Sequence, residues 1–120
     1  MRVIVCGGRD YDDHDTLCNT MSSLQSMYDL KVATGGCSTG ADAMAHEWAT
    51  QNCETPPKVY FAAWRTLGLR AGPIRNQRML EDFGPDLVVA FHGGKGTADM
   101  VQKAIAAGVT VIQVGKSFPL

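Results

Sequence analysis

The segment Val88–Met100, VVAFHGGKGTADM, decides the fold, because it joins an apolar run to a glycine-rich turn and then to a helical pattern. A near copy, TGGCSTGADAM, occupies Thr34–Met44, and a shorter version, GGRD, follows the apolar run Val3–Cys6. Short apolar runs without strict alternation are typical of strands that are buried on both faces of a parallel sheet. The unit of strand, glycine turn and helix is therefore repeated along the chain.

Five short apolar or β-branched segments predict strands: Val3–Cys6, Lys31–Thr34, Val59–Ala63, Leu87–Phe91 and Thr110–Val114. Amphipathic patterns between them predict helices, the last of which is followed by Gly108 as a C-cap: Asp15–Tyr28, Ala41–Gln51, Ile74–Phe83 and Thr97–Ala107. This alternation predicts an α/β fold, a Rossmann-like three-layer sandwich with helices on both faces of a five-stranded parallel sheet. We expect the strand order 3-2-1-4-5, and one domain over residues 1–120.

Composition excludes several functional classes. The chain has 120 residues, a formal net charge of −1 and 45% hydrophobic residues, so no basic field attracts it to nucleic acid. Its apolar runs are far shorter than the ~20 residues of a membrane helix, and MRVIVCGGRD is unlike a signal peptide. We expect a cytoplasmic protein that does not contact membranes.

Cysteine and histidine spacing predicts no metal site and no bound cofactor, since no Cys-x-x-Cys pair or other zinc pattern is present. The four cysteines are expected to be free thiols. Cys37 alone lies inside a glycine turn, and its role stays open because a nucleophile needs a neighbouring base.

The glycine turns predict a phosphate site. Helix N-termini offer unpaired amides and a partial positive charge, and glycine lets an anion approach them without a Cβ in the way. Because the carboxyl ends of parallel strands meet at one edge, the turns share the crevice of a 3-2-1-4-5 sheet. The predicted contacts from the turns are Gly7, Gly8, Arg9, Asp10, Gly35, Gly36, Ser38, Thr39, Gly40, Gly93, Gly94, Lys95, Gly96 and Thr97.

Several of these residues admit a structural interpretation as well. Asp42 and Asp99 are expected in first helical turns, where they either cap the helix or bind ribose hydroxyls and take part in catalysis. Thr39 and Thr97 are natural N-caps whose hydroxyls also reach a phosphate.

Four arginines lie within residues 65–78, among glycines and a proline. This pattern fits either a flexible lid that pairs guanidinium groups with a phosphate or a solvated surface loop and helix face. Tyr11 either stacks on a base or closes the edge of the sheet, whereas Trp48 and Trp64 are expected to be packing residues.

The stretches GGRDY, TGGCSTGADAMAHEWA, AGPIRNQRML and DLVVAFHGGKGTADMV, in this order, are similar to the SLOG superfamily. This Rossmann-like group includes the LOG phosphoribohydrolases and DprA, and the closest resemblance is to its small YspA-like, cpYpsA-related branch, found in bacteria and phages. The resemblance extends along essentially the whole chain. It implies a nucleotide or nucleotide-derived ligand at the glycine-turn edge and, since LOG relatives dimerise, a homo-oligomer.

LOG enzymes cleave the N-glycosidic bond of nucleoside monophosphates with the signature Gly-Gly-x-Gly-Thr-x-x-Glu and an arginine on the preceding helix. Here Gly93–Thr97 matches the glycines and threonine, and Arg75 in GPIRNQRM takes the place of the arginine, followed by Asn76 as a further ligand contact. Met100 stands where LOG enzymes have glutamate, and Asp99 lies one residue earlier, about 100° away on a helix. The candidate catalytic residues are therefore Asp99, Arg75 and Asp42.

Two functional hypotheses follow. The first is a small-ligand protein, either a hydrolase of N-glycosidic bonds or a sensor or sponge for a nucleotide signal. The second is a single-stranded nucleic-acid module like DprA, which would need a basic path with exposed aromatics. The second is disfavoured, because the arginine cluster is the only basic feature of the sequence and the chain also has 12 acidic residues.

Overall fold

The structure, a computed structural model, describes residues 1–115. Its strands are β1 (Arg2–Cys6), β2 (Lys31–Thr34), β3 (Lys58–Val59), β4 (Leu87–Ala90) and β5 (Thr110–Gln113). Its α-helices are α1 (His14–Gln25), α2 (Gly40–Asn52), α3 (Trp64–Leu67), α4 (Ala71–Arg78) and α5 (Lys95–Ala106). A 3₁₀ turn, Gly68–Arg70, joins α3 to α4, and a π-helical turn, Met79–Phe83, continues α4.

The five strands form one parallel sheet in the order β3-β2-β1-β4-β5, which confirms the predicted topology. Central strand β1 pairs with both neighbours in register, so that Val3 lies opposite Val32 on β2 and Leu87 on β4. The chain crosses from one side of β1 to the other between β3 and β4. In such sheets ligands bind at this switch point, outside the carboxyl ends of the strands.

The core lies in two layers because successive strand residues point to opposite faces. Val3 and Val5 are fully buried against α1 and α2, in a cluster that includes Leu17, Met21 and Trp48. Ile4, on the other face, is buried with residues of the π-helical turn and α5: Met79, Phe83, Met100 and Ala104. Helices therefore cover both faces, and the predicted α/β three-layer sandwich is confirmed.

The third strand is shorter than the predicted Val59–Ala63. It ends at Val59, although the Tyr60 amide still donates to the carbonyl of Thr34 at 2.9 Å. The buried Tyr60 side chain is held from below by a hydrogen bond from its hydroxyl to Asp82. After Tyr60 the chain leaves the sheet. Phe61 is exposed and lies beyond the carboxyl ends of the strands.

The arginine-bearing segment is helical, so the flexible lid that one interpretation predicted is wrong, whereas the alternative of a helix face holds for Arg75 and Arg78 on α4. Helix α4 begins at Ala71, before the predicted Ile74, and includes Pro73. Proline is tolerated there because the first turn of a helix needs no amide donor. The end of α5 follows the prediction: Gly108 has a φ of 76°, and the next amide, of Val109, donates to Ala104 at 2.9 Å.

Candidate ligand-binding cleft

A cleft of about 1550 Å³ lies at the carboxyl ends of β1, β2 and β4. Gly36 and Gly94, from turns 58 residues apart in sequence, both line it, as the sequence predicted. Most of the predicted site residues lie together here: Gly7, Gly8, Arg9, Asp10, Gly35, Ser38, Asp42, Arg75, Asn76, Gly93, Lys95, Gly96, Thr97 and Asp99. Thr39 and Gly40 are not among the lining residues, so the structure does not bring these two to the predicted site.

The first turn, after β1, joins the other two. The Gly8 amide donates to the carbonyl of His92 at 2.9 Å, and the Gly8 carbonyl accepts from the amides of Ala41 and Tyr11 at 3.2 Å each. A Cβ on Gly8 would lie only 3.1 Å from Gly93 Cα. Gly8 therefore lines the cleft and joins the first turn to the other two through backbone hydrogen bonds. Its amide was predicted to contact a ligand, but it is already bonded to His92.

The second turn, between β2 and α2, is closed by the chain itself. The Cys37 amide donates to Asp42 Oδ2 at 3.1 Å, and the Ala41 amide is taken by Gly8. Gly40 has a φ of 69°, and a Cβ there would collide with the Gly8 carbonyl oxygen, so glycine is required for the packing of one turn on the other. Thr39 holds the N-cap position of α2 without a side-chain capping bond.

The third turn, between β4 and α5, is open. A Cβ at Gly94 or Gly96 would meet nothing within 4 Å, and the intervening Lys95 is exposed. The first amide of this region that donates within the chain is that of Ala98, to the Gly94 carbonyl at 3.0 Å; within residues 1–115 the amides of 95–97 have no such partner. Because α5 begins at Lys95, Gly94 is its N-cap, and the expectation that Thr97 caps this helix is wrong.

Arg75 crosses from α4 to the second turn. Its Nη1 donates to the Gly35 carbonyl at 2.6 Å and to the Tyr60 carbonyl at 3.4 Å, while its Nε donates to Asn76 Oδ1 at 2.9 Å. A Cβ on Gly35 would lie 2.5 Å from Nη1, so this glycine admits the guanidinium. Burial lowers the pKa of Arg75, against the nearby Asp42, which raises it. Two of the guanidinium nitrogens of Arg75, Nη1 and Nε, are therefore bonded to the protein itself and stabilise the wall of the cleft.

Asp42 lies in the first turn of α2, as predicted, and is only 8% exposed. Burial raises its pKa, while the Cys37 amide and the Arg75 guanidinium both lower it. At the cleft floor, burial raises the pKa of the Cys6 thiol to about 12, with the Asp42 charge adding to the effect and Arg75 opposing it. Cys6 is therefore a protonated thiol at neutral pH and not a nucleophile.

Asp99 is held from two sides. Its Oδ2 accepts from Lys103 Nζ at 2.7 Å, as an ion pair one turn along α5, and from Asn76 Nδ2 at 3.0 Å. The buried Asn76 also donates to the Gly96 carbonyl at 3.1 Å, which ties α4 to the start of α5. Asp99 lies in the second turn of α5 and not in the first, because the helix starts earlier than expected. Met100, its neighbour, is buried in the core.

An apolar wall on the β3 side of the cleft was not predicted. Phe61, Trp64 and Leu69 line it with exposed fractions of 69%, 47% and 93%. The expectation that Trp64 is a packing residue is therefore wrong, whereas Trp48 is buried as expected. The position of these residues in the sequence could have indicated the wall, because residues just after β3 lie at the same edge of the sheet as the glycine turns.

Charges around the cleft nearly balance. Arg9, Arg75 and Lys95 face it, and so do four aspartates: Asp10, Asp12, Asp42 and Asp99. Two of these aspartates are compensated, by Arg75 and by Lys103. Arg65, Arg70 and Arg78 do not line the cleft, so no continuous basic path crosses its lining in residues 1–115.

Three further observations concern the described part of the chain. The four cysteines are free thiols. Across residues 1–115, no three His, Cys, Asp or Glu side chains are grouped so that they could hold a metal ion. None of the helices in that range has the length and apolar character needed to cross a membrane.

Comparison with known proteins places the chain in a family. Residues 1–66 match the family described as YspA, cpYpsA-related SLOG. Gene 61 protein of Mycobacterium phage D29 is 33% identical over 122 residues, which cover 95% of this chain and 96% of that protein. The chain belongs to the YspA, cpYpsA-related SLOG family, and the resemblance seen in the sequence is confirmed.

Among solved structures, the chain is similar to UDP-GlcNAc 2-epimerase from Neisseria meningitidis, crystallised with UDP-GlcNAc. The TM-score is 0.64 at 16% sequence identity. The match covers 98% of this chain but only 33% of the epimerase, so the chain spans about a third of that protein's length. The likeness supports the Rossmann-like fold.

Proposed function

We propose that the protein binds a nucleotide or a nucleotide-derived phosphorylated ligand in the cleft, with a phosphate at the start of α5. The observation that carries this proposal is the open third turn. Three successive amides at the N-terminus of a 12-residue helix lack a partner within the described chain, beside an exposed lysine and between glycines that leave the approach free.

Phosphate suits this position for two physical reasons. The first-turn amides of a helix point outward along its axis and carry about half a positive charge through the helix dipole. Lys95 adds a full positive charge on a flexible stem, which suits a ligand with oxygen on several sides. Elsewhere the charges of the cleft nearly cancel, so an anion is favoured at this point rather than along the whole surface.

The ligand class is supported by three observations that are independent of the amides. The cleft, about 1550 Å³, exceeds the volume that a free phosphate needs. It lies at the switch point of the sheet, where Rossmann-like folds bind nucleotides. The solved epimerase of the same fold was crystallised with a nucleotide sugar, UDP-GlcNAc.

Hydrolysis of an N-glycosidic bond is a second candidate function, favoured by the presence of two carboxylates, Asp42 and Asp99, in one cleft. Such a reaction needs a placed carboxylate to stabilise an oxocarbenium-like centre and steer water. Here Asp99 is already neutralised by Lys103, and the position of the LOG glutamate, Met100, faces the core. Binding without cleavage, as in a sensor or sponge, therefore fits the geometry better.

Titration of the purified protein with inorganic phosphate, ribose 5-phosphate and AMP, followed by calorimetry and thermal melting, tests the proposal. We expect saturable binding of ribose 5-phosphate and AMP and a rise in melting temperature with ligand concentration. Gly94→Val should weaken binding at least tenfold, because its side chain blocks the approach to the amides. Ala106→Val, at the exposed far end of the same helix, is the matched control and should leave affinity unchanged.

The outcomes separate the candidates. Equal affinity of Gly94→Val and the wild type for ribose 5-phosphate would contradict the cradle. Free adenine in the AMP mixture, detected by chromatography, would establish hydrolysis, which Asp99→Asn should then abolish. Binding of oligonucleotides that weakens steeply with salt, without binding of mononucleotides, would instead favour the nucleic-acid hypothesis.

Assembly is part of the proposal. The family resemblance implies a homo-oligomer, and we propose a dimer or a higher oligomer. Light scattering at several concentrations tests it: a mass of at least twice 12.9 kDa is expected, and a constant mass near 12.9 kDa would refute it.

A further inference from the structure

The apolar wall of Phe61, Trp64 and Leu69 is unusual because large apolar side chains are exposed within a cleft. All three line the same cavity as the glycine turns. Exposed Phe and Trp cost solvation free energy in an unliganded protein, so aromatic groups grouped beside a polar cradle are typical of a ligand contact.

Two glycines support the rings from behind. A Cβ on Gly36 would lie 2.8 Å from Phe61 Cδ1 and Cε1, and a Cβ on Gly72 would lie 3.1 Å from Trp64 Cη2. Each ring therefore rests against glycine backbone, while 69% of Phe61 and 47% of Trp64 stay exposed. This support holds the rings in place before any ligand arrives, which reduces the entropy lost on binding.

Arg9 reaches the wall from the turn after β1. Its Cζ lies 5.8 Å from the Trp64 ring centroid, a cation–π distance. The guanidinium thus lies over the Trp64 ring. A planar group bound on Trp64 would meet an aromatic face and a guanidinium together, both of which stack on π systems.

We propose that this wall binds the nucleobase of the ligand, with Trp64 and Phe61 as its stacking surface and Leu69 as its outer edge. The inference rests on the proposed function, since it assumes that the phosphate of the ligand binds at the start of α5 and places the base of the same ligand on the wall. It makes the wall the part of the cleft that distinguishes a nucleotide from a plain sugar phosphate.

A single-stranded nucleic acid would also stack on aromatic side chains, but it needs a basic track for successive phosphates. The cleft lining of residues 1–115 carries three basic residues against four aspartates. One base with its own phosphate group therefore fits the charge pattern better than a strand does.

Calorimetric titration with AMP and ribose 5-phosphate, on the full chain and its variants, tests the inference. The wild type should bind AMP at least tenfold more tightly than ribose 5-phosphate, which corresponds to about 1.4 kcal/mol. Trp64→Leu should remove most of that difference and leave the affinity for ribose 5-phosphate within twofold. Phe61→Leu should act in the same direction, and Trp64→Phe should retain most of the preference because it keeps an aromatic face.

Ile74→Ala is the matched control, because Ile74 is 47% exposed, as Trp64 is, and does not line the cleft. It should leave both affinities unchanged. AMP should also quench the fluorescence of Trp64, whereas the buried Trp48 should contribute little to the change.

The inference is overturned if the wild type binds both compounds equally, or if Trp64→Leu weakens both to the same extent or neither; the phosphate cradle would survive these results. Binding of neither compound would overturn the inference together with the proposed function. Binding of oligonucleotides alone would do the same in favour of a nucleic-acid partner.

Discussion

The two long glycine turns of this protein are similar in sequence but differ in how tightly they are packed against the rest of the chain. The turn into α2 carries GGCSTGAD: its Cys37 amide donates to Asp42, its Ala41 amide donates to Gly8, and its Gly40 is packed against the Gly8 carbonyl. The turn into α5 carries GGKGTAD, and its first amides have no partner within residues 1–115. A glycine motif at a strand end therefore marks close backbone packing as readily as a ligand cradle.

The difference arises from where each helix begins. Helix α2 starts at Gly40, so Asp42 lies in the first turn and folds back onto the Cys37 amide. Helix α5 starts at Lys95, so Asp99 lies one turn further along and contacts α4 through Asn76. The Ala-Asp sequence occurs in both helices, but Asp42 bonds to its own turn whereas Asp99 does not.

The largest expected effect comes from a methyl group placed in each turn. Gly40→Ala should lower the free energy of unfolding by about 3 kcal/mol, because the new Cβ meets the Gly8 carbonyl and the positive φ is strained. Gly96→Ala, the matched variant in α5, should raise it by about 0.5 kcal/mol through helix propensity. Urea denaturation measures both. Equal effects would show that the two turns do not differ as described.

The closed turn also depends on Arg75, and its removal should have the next largest effect. Arg75→Met leaves Asp42 without a nearby positive charge and the Gly35 carbonyl without its donor, which should cost about 2 kcal/mol of unfolding free energy. In the double variant Arg75→Met/Asp42→Asn the loss should be smaller than the sum of the single losses by about 1 kcal/mol. Strict additivity would show that the two groups do not interact.

A smaller effect should appear with pH. Since burial raises the pKa of Asp42 in the folded state, its contribution to stability is fully present below the unfolded value of about 3.9 and is lost as pH rises through the folded value. The wild type should therefore lose stability relative to Asp42→Asn as the pH rises above about 4. Urea titrations at several pH values measure the difference in unfolding free energy between the two proteins. If the wild type instead gained stability relative to Asp42→Asn as the pH rises, the folded protein would stabilise the ionised form of Asp42, contrary to the account.

The smallest effect concerns the open turn. Lys95 is exposed, so Lys95→Ala should weaken ribose 5-phosphate binding only about threefold and leave stability unchanged. The loss should shrink as salt is added, because the charge is screened. Calorimetry at low and high salt measures it, and a loss that is independent of salt would assign Lys95 a contact other than a charge.

The fold was predictable from the sequence because the repeat of apolar run, glycine turn and helix leaves few topologies for the sheet. The gathering of the turns at one edge followed from the parallel strands alone. The closure of one turn was not predictable, since it depends on the contact of Gly8 with Ala41, distant in sequence. The exposure of Trp64 was missed for a similar reason: its packing on Gly72 is set by where α4 begins.

Amide chemical shifts report most directly whether the open turn is the cradle. In a ¹⁵N-labelled sample titrated with ribose 5-phosphate, we expect the largest shifts at the amides of Lys95, Gly96 and Thr97, with small changes at Cys37 and Ala41, whose amides are already bonded. Largest shifts at Cys37 and Ala41, with none at the start of α5, would contradict the account.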